Sequence, residues 1–269
     1  MQKFIRWVVG IALVLLIGFP FYWIMISSFK PGDEVLIPNL WPEAFTLQHY
    51  QELIEQTSYL ANLYNSLFVA VMTMFITILI VIPASYSIYR FDYRGREFLF
   101  RLILASYIFP GVLLLVPVYQ LMNSVQLVDS LWSLVVINVT FAAPFAVWLM
   151  KGFFDAVPKD LDESAAIDGA GPFRVLFQII LPLILPGIGT ISIYAFVLAW
   201  TEFTFASVLI SSDANRVLTT GMNAIMGQYT VRWGWTTAGA VLTIIPVVIL
   251  FAFVGRYFVR GLQAGAIKS

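Results

Sequence analysis

The chain has 269 residues, of which 60% are hydrophobic and only 11% are charged. An average soluble domain has roughly 25% charged residues, so this chain lacks the residues to cover a core of its size with a charged shell. The composition all but excludes a soluble enzyme, a nucleic-acid-binding protein and a disordered chain. The net charge of zero also provides no field that would attract nucleic acid.

Cysteine and histidine counts restrict the chemistry further. The chain has no cysteine, which excludes disulfides, thiolate metal sites and a cysteine nucleophile. Its one histidine, His49, excludes sites that need two. Because His49 lies in a polar segment, we expect it in a solvated loop or short helix. No phosphate-binding G-x-x-x-x-G-K-S/T motif occurs, so we predict that the chain holds no metal, ATP or other cofactor and is not an enzyme by itself.

Long stretches without charge predict the fold class. Six stretches of at least 21 residues contain no Asp, Glu, Lys or Arg, and a bilayer core of ~30 Å needs about 20 apolar residues. We predict an all-α polytopic membrane protein, with residues 1–269 forming a single transmembrane domain. Its six predicted spans lie near 7–27, 66–89, 99–122, 131–150, 179–202 and 236–258.

The first span and the charged residues predict the orientation. No small-x-small cleavage site follows the first apolar run, so we expect this helix to be retained and not removed as a signal peptide. With the N-terminus inside, the inside segments hold 12 Lys and Arg residues and the outside segments hold 3. The positive-inside rule then places both termini in the cytoplasm.

Prolines predict helices that bend. Proline removes a backbone donor and kinks a helix, and neighbouring helices must satisfy the freed carbonyl. The prolines within or beside the spans are Pro20, Pro83, Pro110, Pro117, Pro144, Pro182, Pro186 and Pro246.

The segment between the fourth and fifth spans is the most informative. It is predicted to be cytoplasmic, and the spacing of Asp160 and Glu163 predicts a helix N-cap with its partner three residues later. Gly169 is predicted to end this short helix, and Pro172 to open the next one. Asp168 then lies at a helix C-terminus, where negative charge is unfavourable. Local features leave two interpretations open, a docking element and an ordinary surface helix.

The same segment resembles a family signature. Glu163-Ser164-Ala165, three residues, Gly169, nine residues and Ile179-x-Leu181-Pro182 match the EAA–G–I-x-LP loop of the membrane subunits of binding-protein-dependent ABC importers. Ser164 stands where the family usually has Ala, and it keeps a small residue at that position.

The resemblance extends along the chain. Asn65-Ser66-Leu67, Tyr89-Arg90-Phe91 and Trp200-Thr201-Glu202-Phe203 resemble segments of the same family. The tail Gly261 to Lys268 is similar to the G-x-x-A-G-x-x-K tail of the shorter permease of maltose-type sugar importers.

The resemblance implies a subunit of a larger importer in the inner membrane of a bacterial or archaeal cell. A second homologous permease would complete the pore, two copies of a cytoplasmic ATPase would bind ATP and Mg, and an extracytoplasmic binding protein would deliver a sugar. Within the loop 151–178, a coupling helix would contact the ATPase. The residues implied in that contact are Asp162, Glu163, Ser164, Ala165, Ala166, Asp168 and Gly169. In the tail, Gly261, Gln263 and Gly265 would also reach the ATPase.

A sugar path needs hydroxyl or amide groups and aromatic faces. Asn138, Thr190 and Tyr194, with Ser192, lie within predicted spans, but such residues also join helices to one another. Glu202 is an acid at the end of an uncharged span and is a functional candidate by default, and a structural role is the alternative.

The segment around Arg232 leaves two interpretations open. Arg232, Trp233 and Trp235 are typical of an interfacial aromatic belt. Alternatively, the loop 204–235 enters the sugar cleft of the binding protein, as the resemblance implies.

Three rival functions stay open at this stage. A permease for a non-sugar solute is the nearest one. A stand-alone secondary transporter would need charges in mid-membrane, which the six spans lack. An intramembrane hydrolase would need a histidine or a pair of acids within the spans, and these are also absent.

Overall fold

A computed structural model describes residues 2–227 and 231–266, with the side chains of these residues other than Gln2, Asp33 and 256–266. The described part consists of helices and the loops between them and contains no β-strand, which confirms the all-α prediction for these residues. In chain order the helices are α1 (Gln2–Ser27), α2 (Gln48–Gln56), α3 (Tyr59–Arg90), α4 (Arg96–Ile108), α5 (Leu115–Ser124), α6 (Leu131–Asp155), α7 (Asp160–Ile167), α8 (Pro172–Arg174), α9 (Leu181–Leu183), α10 (Leu185–Trp200), α11 (Thr204–Leu209), α12 (Leu218–Met226) and α13 (Trp233–Ala266).

Four of the described helices, α1, α3, α6 and α13, are long and apolar enough to cross a bilayer. They contain the predicted first, second, fourth and sixth spans. Pro20, Pro83, Pro144 and Pro246 lie inside these four helices without breaking them.

The predicted third and fifth spans are bent helix pairs instead of continuous helices. Arg96–Ile108 and Gly111–Ser124 meet at 91°, and Pro172–Leu183 and α10 meet at 81°. The predicted spans 99–122 and 179–202 therefore each contain a sharp break between two helices, which is more than the bend that their prolines predicted. The described part has four continuous helices that are candidate spans, or up to six spans if each bent pair is one.

Proline explains both bends. Phe109 is extended (φ −73°, ψ 127°) because the ring of Pro110 disfavours helical backbone at the residue before it. A 3₁₀ turn, Gly111–Leu114, then leads into α5. In the other pair, a π-helical stretch (Val175–Ile180) precedes α9, and Pro186 opens α10. A proline cannot donate the bond that would continue the preceding helix.

Helices α3, α6 and α10 form the centre of the bundle and pack on one another, and α13 packs against α10. Buried side chains form two apolar clusters. One lies toward α7 and includes Phe154, Ala165 and Leu176, and the other lies toward α11 and α12 and includes Leu134 and Leu218. The bundle thus has an α7 end and an opposite end, where the segment 204–227 lies.

Candidate functional site

The helix α7 occupies the segment that carries the loop signature. Its N-cap residue is Lys159, whose side chain makes no capping hydrogen bond. The predicted capping box with Asp160 as N-cap was wrong, because the helix already includes Asp160. Asp160, Asp162 and Glu163 instead lie in the first turn, where negative charge interacts favourably with the helix dipole.

Gly169 ends α7 as predicted. Its φ of +78° lies in the left-handed region, where L side chains are strained. The N–H of Ala170 donates to the carbonyl of Ala165 at 2.9 Å, and the N–H of Gly169 donates to that of Ala166 at 3.0 Å. Pro172 then opens α8, also as predicted. The glycine therefore reverses the chain so that α8 can begin.

Most of α7 is exposed. Ala165 is its one buried residue, and Asp162 is half-buried. Glu163, Ser164, Ala166, Asp168 and Gly169 are exposed.

Two apolar side chains that the sequence reasoning missed extend this surface: Ile167 is 87% exposed and Phe173 is 76% exposed. The sequence pattern that could have identified them is the presence of large apolar residues in an otherwise charged, turn-rich segment.

A buried ion pair joins α7 to the end of α3. Arg90 Nε lies 3.3 Å from Asp162 Oδ2, with side-chain exposures of 3% and 22%. Arg90 Nη2 also donates a hydrogen bond to the carbonyl of Val157 at 2.9 Å. Burial raises the pKa of Asp162, and the opposing effect of Arg90 is smaller. No local pattern indicates this contact, because 72 positions separate the two residues.

At the opposite end, Asp129 holds the segment 204–227. Its Oδ1 accepts hydrogen bonds from the N–H of Ser211 (3.0 Å), the N–H of Ser212 (2.9 Å) and the hydroxyl of Ser212 (3.0 Å). The backbone of Asp129 donates to the carbonyl of Leu209 and accepts from Asn215 Nδ2. The hydrogen bonds from the backbone of Ser212 lower the pKa of Asp129.

The start of α3 adds three more neutral contacts to that segment. Asn65 Nδ2 donates to the carbonyls of Ala214 and Arg216, each at 2.9 Å. Ser66 Oγ accepts from the N–H of Leu218 at 2.7 Å. These hydrogen bonds fix the segment to the bundle by its backbone.

Glu202 has a structural role in this structure. Its two carboxylate oxygens accept hydrogen bonds from the N–H groups of Phe205 (2.6 Å) and Ala206 (2.9 Å) at the start of α11. Its carbonyl accepts from the hydroxyl of Thr219 at 2.7 Å. The carboxylate thus satisfies amides at a helix N-terminus that would otherwise lack partners.

The structure brings together two of the four predicted path residues. Asn138 and Glu202 line one cavity of about 270 Å³ together with Phe141 and Phe205. The hydroxyl of Thr190 instead bonds to the carbonyl of Pro186 in its own helix, at 3.0 Å.

Ser192 does the same as Thr190. Its hydroxyl donates to the carbonyl of Ile188 at 2.6 Å. Neither hydroxyl has a contact in the structure that would set it apart as a sugar ligand.

Tyr194 belongs to an aromatic cluster that the sequence reasoning missed. Its ring centroid lies 4.6 Å from that of Phe145. Phe145 also lies 5.4 Å from Tyr107 and 5.4 Å from Trp148. Tyr107 is 50% exposed and Trp148 is 49% exposed, so the cluster has an open side.

Asn138 lies on the same face of α6 as Phe145 and Trp148, the two members of this cluster that belong to α6. Residues 138, 141, 145 and 148 recur at the three- and four-residue spacing of a single helical face. That spacing was the available signal, although it is equally typical of core packing.

His49 was wrongly expected to be solvated. It is 8% exposed, and its Nε2 lies 2.8 Å from the carbonyl of Lys30. A Cβ added at Gly234 would lie 2.3 Å from the His49 ring, so this glycine permits the close contact between α2 and α13. His49 is therefore a packing residue.

The two tryptophans near Arg232 differ. Trp233 is 46% exposed, as expected of a residue in an interfacial belt. Trp235 is only 5% exposed, its Nε1 donates to Glu52 at 2.9 Å, and the Arg232 guanidinium lies 4.2 Å from its ring. The belt interpretation was therefore wrong for Trp235.

Gly261, Gln263 and Gly265 lie in α13, but their side chains are outside the described part of the chain. In the described residues, no three His, Asp or Glu side chains come together as possible metal ligands.

The fold resembles that of a solved transporter. The chain matches a bacterial ABC transporter involved in the import of the acidic polysaccharide alginate, with a TM-score of 0.84 and 20% identity over 96% of both chains. At this identity the likeness establishes the fold alone.

Curated relatives are similar over nearly their whole length. The sulfoquinovosyl glycerol transport system permease protein SmoH of Agrobacterium fabrum is 34% identical over 96% of this chain and 92% of its own. The galactooligosaccharides transport system permease protein GanQ of Bacillus subtilis is 32% identical over the same two shares, 96% and 92%. The diacetylchitobiose uptake system permease protein DasC of Streptomyces coelicolor is 31% identical over 96% and 95%.

A protein-family match covers both the bundle centre and α7. Residues 77–264 match the family described as binding-protein-dependent transport system inner membrane component. This range includes the whole loop signature and most of the central helices. The chain therefore belongs to the family of inner-membrane components of binding-protein-dependent transport systems.

Proposed function

We propose that this chain is a permease subunit of an ATP-driven ABC importer that moves a sugar, mono- or oligosaccharide, into the cytoplasm. The observation that carries the proposal is α7, which presents the loop signature of the family on an exposed surface of an apolar bundle. Relatives of similar length are named for the transport of glycosides and oligosaccharides, which supports the sugar assignment.

The proposed assembly follows from the family. A second homologous permease completes the pore, two copies of an ATPase bind ATP and Mg, and an extracytoplasmic binding protein delivers the sugar. Six spans, two of them bent, cross the inner membrane of a bacterium or archaeon. The α7 end and both termini face the cytoplasm, in agreement with the distribution of Lys and Arg. The segment 204–227 faces outward.

In this assembly α7 is the coupling helix. The exposed carboxylate of Glu163 offers a charge-assisted contact to a basic ATPase residue. Exposed Ile167 and Phe173 add apolar area to the contact, and Gly169 provides the turn. The rest of the proposed contact surface consists of Asp162, Ser164, Ala165, Ala166 and Asp168. In the tail, the proposed contact is extended by Gly261, Gln263 and Gly265.

The sugar path runs along the face of α6 that carries Asn138 and Phe145. Ligand sites are mostly apolar and aromatic, with a few polar groups that fix orientation. Asn138 and the hydroxyl of Tyr194 provide polar groups, and Tyr107 and Trp148 provide exposed aromatic faces. Glu202 shapes the outer part of this path by holding α11, because its carboxylate oxygens are already engaged.

Transport then follows from the geometry by alternating access. Closure of the ATPase dimer displaces α7, and the displacement reaches the central helices that border the path. Such a transition is a rigid-body switch between two packings of the bundle. The chain itself contributes no catalytic group to ATP hydrolysis.

The first experiment is co-purification from the native host in mild detergent, followed by mass spectrometry. We expect the wild type to bring a second polytopic permease and an ATPase, and Glu163→Arg to lose the ATPase. Glu55→Arg is the matched control, because Glu55 is equally exposed on α2, away from α7. Gly169→Pro tests the turn. A wild-type chain that purifies alone would overturn the importer proposal.

The second experiment identifies the solute. Proteoliposomes of the purified complex are supplied with the co-encoded binding protein and with labelled diacetylchitobiose, galacto-oligosaccharides, sulfoquinovosyl glycerol or an amino-acid mixture. We expect ATP-dependent uptake of a sugar and none of the amino acids. Uptake confined to amino acids would leave the permease assignment in place and contradict the sugar.

A further inference from the structure

The contact between Arg90 and Asp162 lies at a junction of the bundle. Arg90 is the last residue of α3, and Asp162 is in the first turn of α7. The same guanidinium bonds to the carbonyl of Val157 in the segment that leads into α7. One side chain therefore holds both α7 and the segment before it to the end of α3.

Apart from this pair, α7 contacts the π-helical stretch Val175–Ile180, and this contact is apolar and small. Ala165 is its only buried residue, and a methyl group contributes little burial. The ion pair, with its side-chain exposure of 3% on Arg90, is the most deeply buried polar contact that the described side chains of α7 make. Helix α3 in turn packs against α6 and α10 over much of its length. A force applied to α7 thus has one polar route into the bundle centre.

We infer that Arg90 is a positioning residue that makes α7 move as one body with α3, so that displacement of α7 by the ATPase reaches the path between α3, α6 and α10. This inference rests on the proposed function. Removal of one partner from a buried ion pair is costly because the other charge is left uncompensated. The pair therefore resists separation when α7 is pushed, whereas the exposed surface of α7 is free to bind.

A distance measurement tests whether α7 and α3 move together. The chain has no cysteine, so introduced cysteines carry spin labels at unique positions. Ile80→Cys on α3 and Leu161→Cys on α7 are suitable because both side chains are exposed, by 48% and 38%, and neither belongs to the proposed ATPase contact. The distance distribution is recorded on the co-purified complex, with and without ATP in Mg-free buffer. We expect ATP to leave it unchanged in the parent and to shift or broaden it in Arg90→Ala.

A second measurement tests whether the displacement of α7 reaches the central helices of the bundle. Trp148→Cys, at a side chain that is 49% exposed on the same face of α6, is labelled with a charged maleimide, and the labelling rate is compared with and without ATP. We expect the ATP-dependent change in rate to fall about fivefold or more in Arg90→Ala, as for the loss of a coupling free energy of ordinary size. Hydrolysis of Mg-ATP by the same complex is expected to persist, which separates lost coupling from lost ATPase binding.

The controls distinguish positioning from folding. Arg96→Ala removes an arginine at the same end of the bundle, but Arg96 pairs with Asp92 and not with α7. Arg96→Ala should leave the ATP responses of the distance and of the labelling rate as they are in the parent. Arg90→Lys should retain part of each response.

Asp162→Asn keeps Arg90 in place and serves if Arg90→Ala does not fold. We expect it to reproduce the loss of coupling.

Two results would overturn the inference. One is that Arg90→Ala and Asp162→Asn respond to ATP as the parent does, both in the α3–α7 distance and in the labelling rate. The other is an equal loss in Arg96→Ala. Failure of the proposed function would look different, since no ATPase would then accompany the parent chain.

Discussion

At one end of the bundle, α7 is held to α3 by one ion pair, and its buried Ala165 belongs to the same apolar cluster as Val175 and Leu176. At the other end, the segment 204–227 is held to α3 and to Asp129 by several hydrogen bonds that involve its backbone. The first attachment joins two side chains, and the second joins side chains to main-chain groups.

The difference indicates which end is built to move. Backbone groups fixed at several points can be displaced only if several hydrogen bonds break together, so the segment 204–227 keeps a defined shape. A single ion pair holds α7 at one point and leaves its remaining surface exposed. Segments that take part in switching come from the less stable parts of a structure, and α7 has fewer contacts than the segment 204–227.

The largest expected effect on stability is at Asp129. Asp129→Ala removes the acceptor of three hydrogen bonds, and we expect a loss of about 2 kcal/mol of unfolding free energy, since hydrogen bonds to charged groups contribute more than neutral ones. Thermal unfolding of the purified protein in detergent measures it. Asp129→Asn is the matched control, because Asn keeps an acceptor and tolerates the positive φ of 59° at this position.

Equal unfolding temperatures for Asp129→Ala and Asp129→Asn would contradict this account. An acceptor oxygen at position 129 would then contribute no more to the unfolding free energy than the methyl group of alanine.

The second effect tests the close packing of α12 on α3. A Cβ at Gly221 would lie 2.1 Å from Asn62 Nδ2 and 3.3 Å from Asn62 Cβ. Asn62 is 4% exposed, so its amide has little room to move. We expect Gly221→Ala to cost about 1–3 kcal/mol of unfolding free energy, as other overpacked positions do. The measurement is the thermal unfolding midpoint.

Gly152→Ala in α6 provides the comparison at the α7 end. Nothing lies within 4 Å of a Cβ added there, so alanine should stabilise the helix by about 0.5–1 kcal/mol. A destabilised Gly152→Ala, or a neutral Gly221→Ala, would show that the two positions do not differ as described.

A smaller effect is expected at Asp162. Burial raises its pKa in spite of the nearby Arg90, so the charged form gains little from the fold. We expect Asp162→Asn to change the unfolding free energy by less than about 1 kcal/mol, because a neutral side chain avoids the burial penalty of the carboxylate and Arg90 keeps its hydrogen bond to the carbonyl of Val157. The same thermal measurement applies, and a loss as large as that of Asp129→Ala would erase the contrast between the two ends.

The smallest effect is the pH dependence, which has opposite signs at the two ends. The lowered pKa of Asp129 means that its contribution is present above the unfolded pKa of about 3.9 and is lost as the pH falls through the folded pKa. The raised pKa of Asp162 means that its contribution is full below about 3.9 and is lost as the pH rises through the folded pKa.

Unfolding temperatures of the wild type, Asp129→Asn and Asp162→Asn between pH 3 and 7 measure these signs. Relative to Asp162→Asn, the wild type should gain stability as the pH falls toward 4. Relative to Asp129→Asn, it should lose stability only below about pH 4. Parallel curves for both variants would rule out the assignment of opposite shifts.

Sequence patterns were most successful where the cause is local. Runs without charge located the four described helices that are long and apolar enough to cross a bilayer, and Gly169 was correctly predicted to end α7 because only a residue tolerant of positive φ suits that turn. The loop signature placed α7 itself. Local patterns failed at the bends, where proline was read as a kink within a continuous span although it separates two helices at 91° and 81°.

Local patterns also failed wherever a contact crosses the chain. His49 lies in a polar segment and yet is buried against Gly234, and Trp235 bonds to Glu52 across 183 positions. The pairing of Arg90 with Asp162 and the clamp at Asp129 were not predicted for the same reason.

The sequence by itself determined the membrane class, the helical content and the family of this protein, because hydropathy, charge and the loop signature are properties of short contiguous segments. Only the tertiary structure decided which helices bend, that Glu202 is engaged with α11, and that α7 is tied to α3 through Arg90. Those features depend on which distant side chains meet when α3, α6 and α10 pack, and a one-dimensional pattern does not specify those meetings.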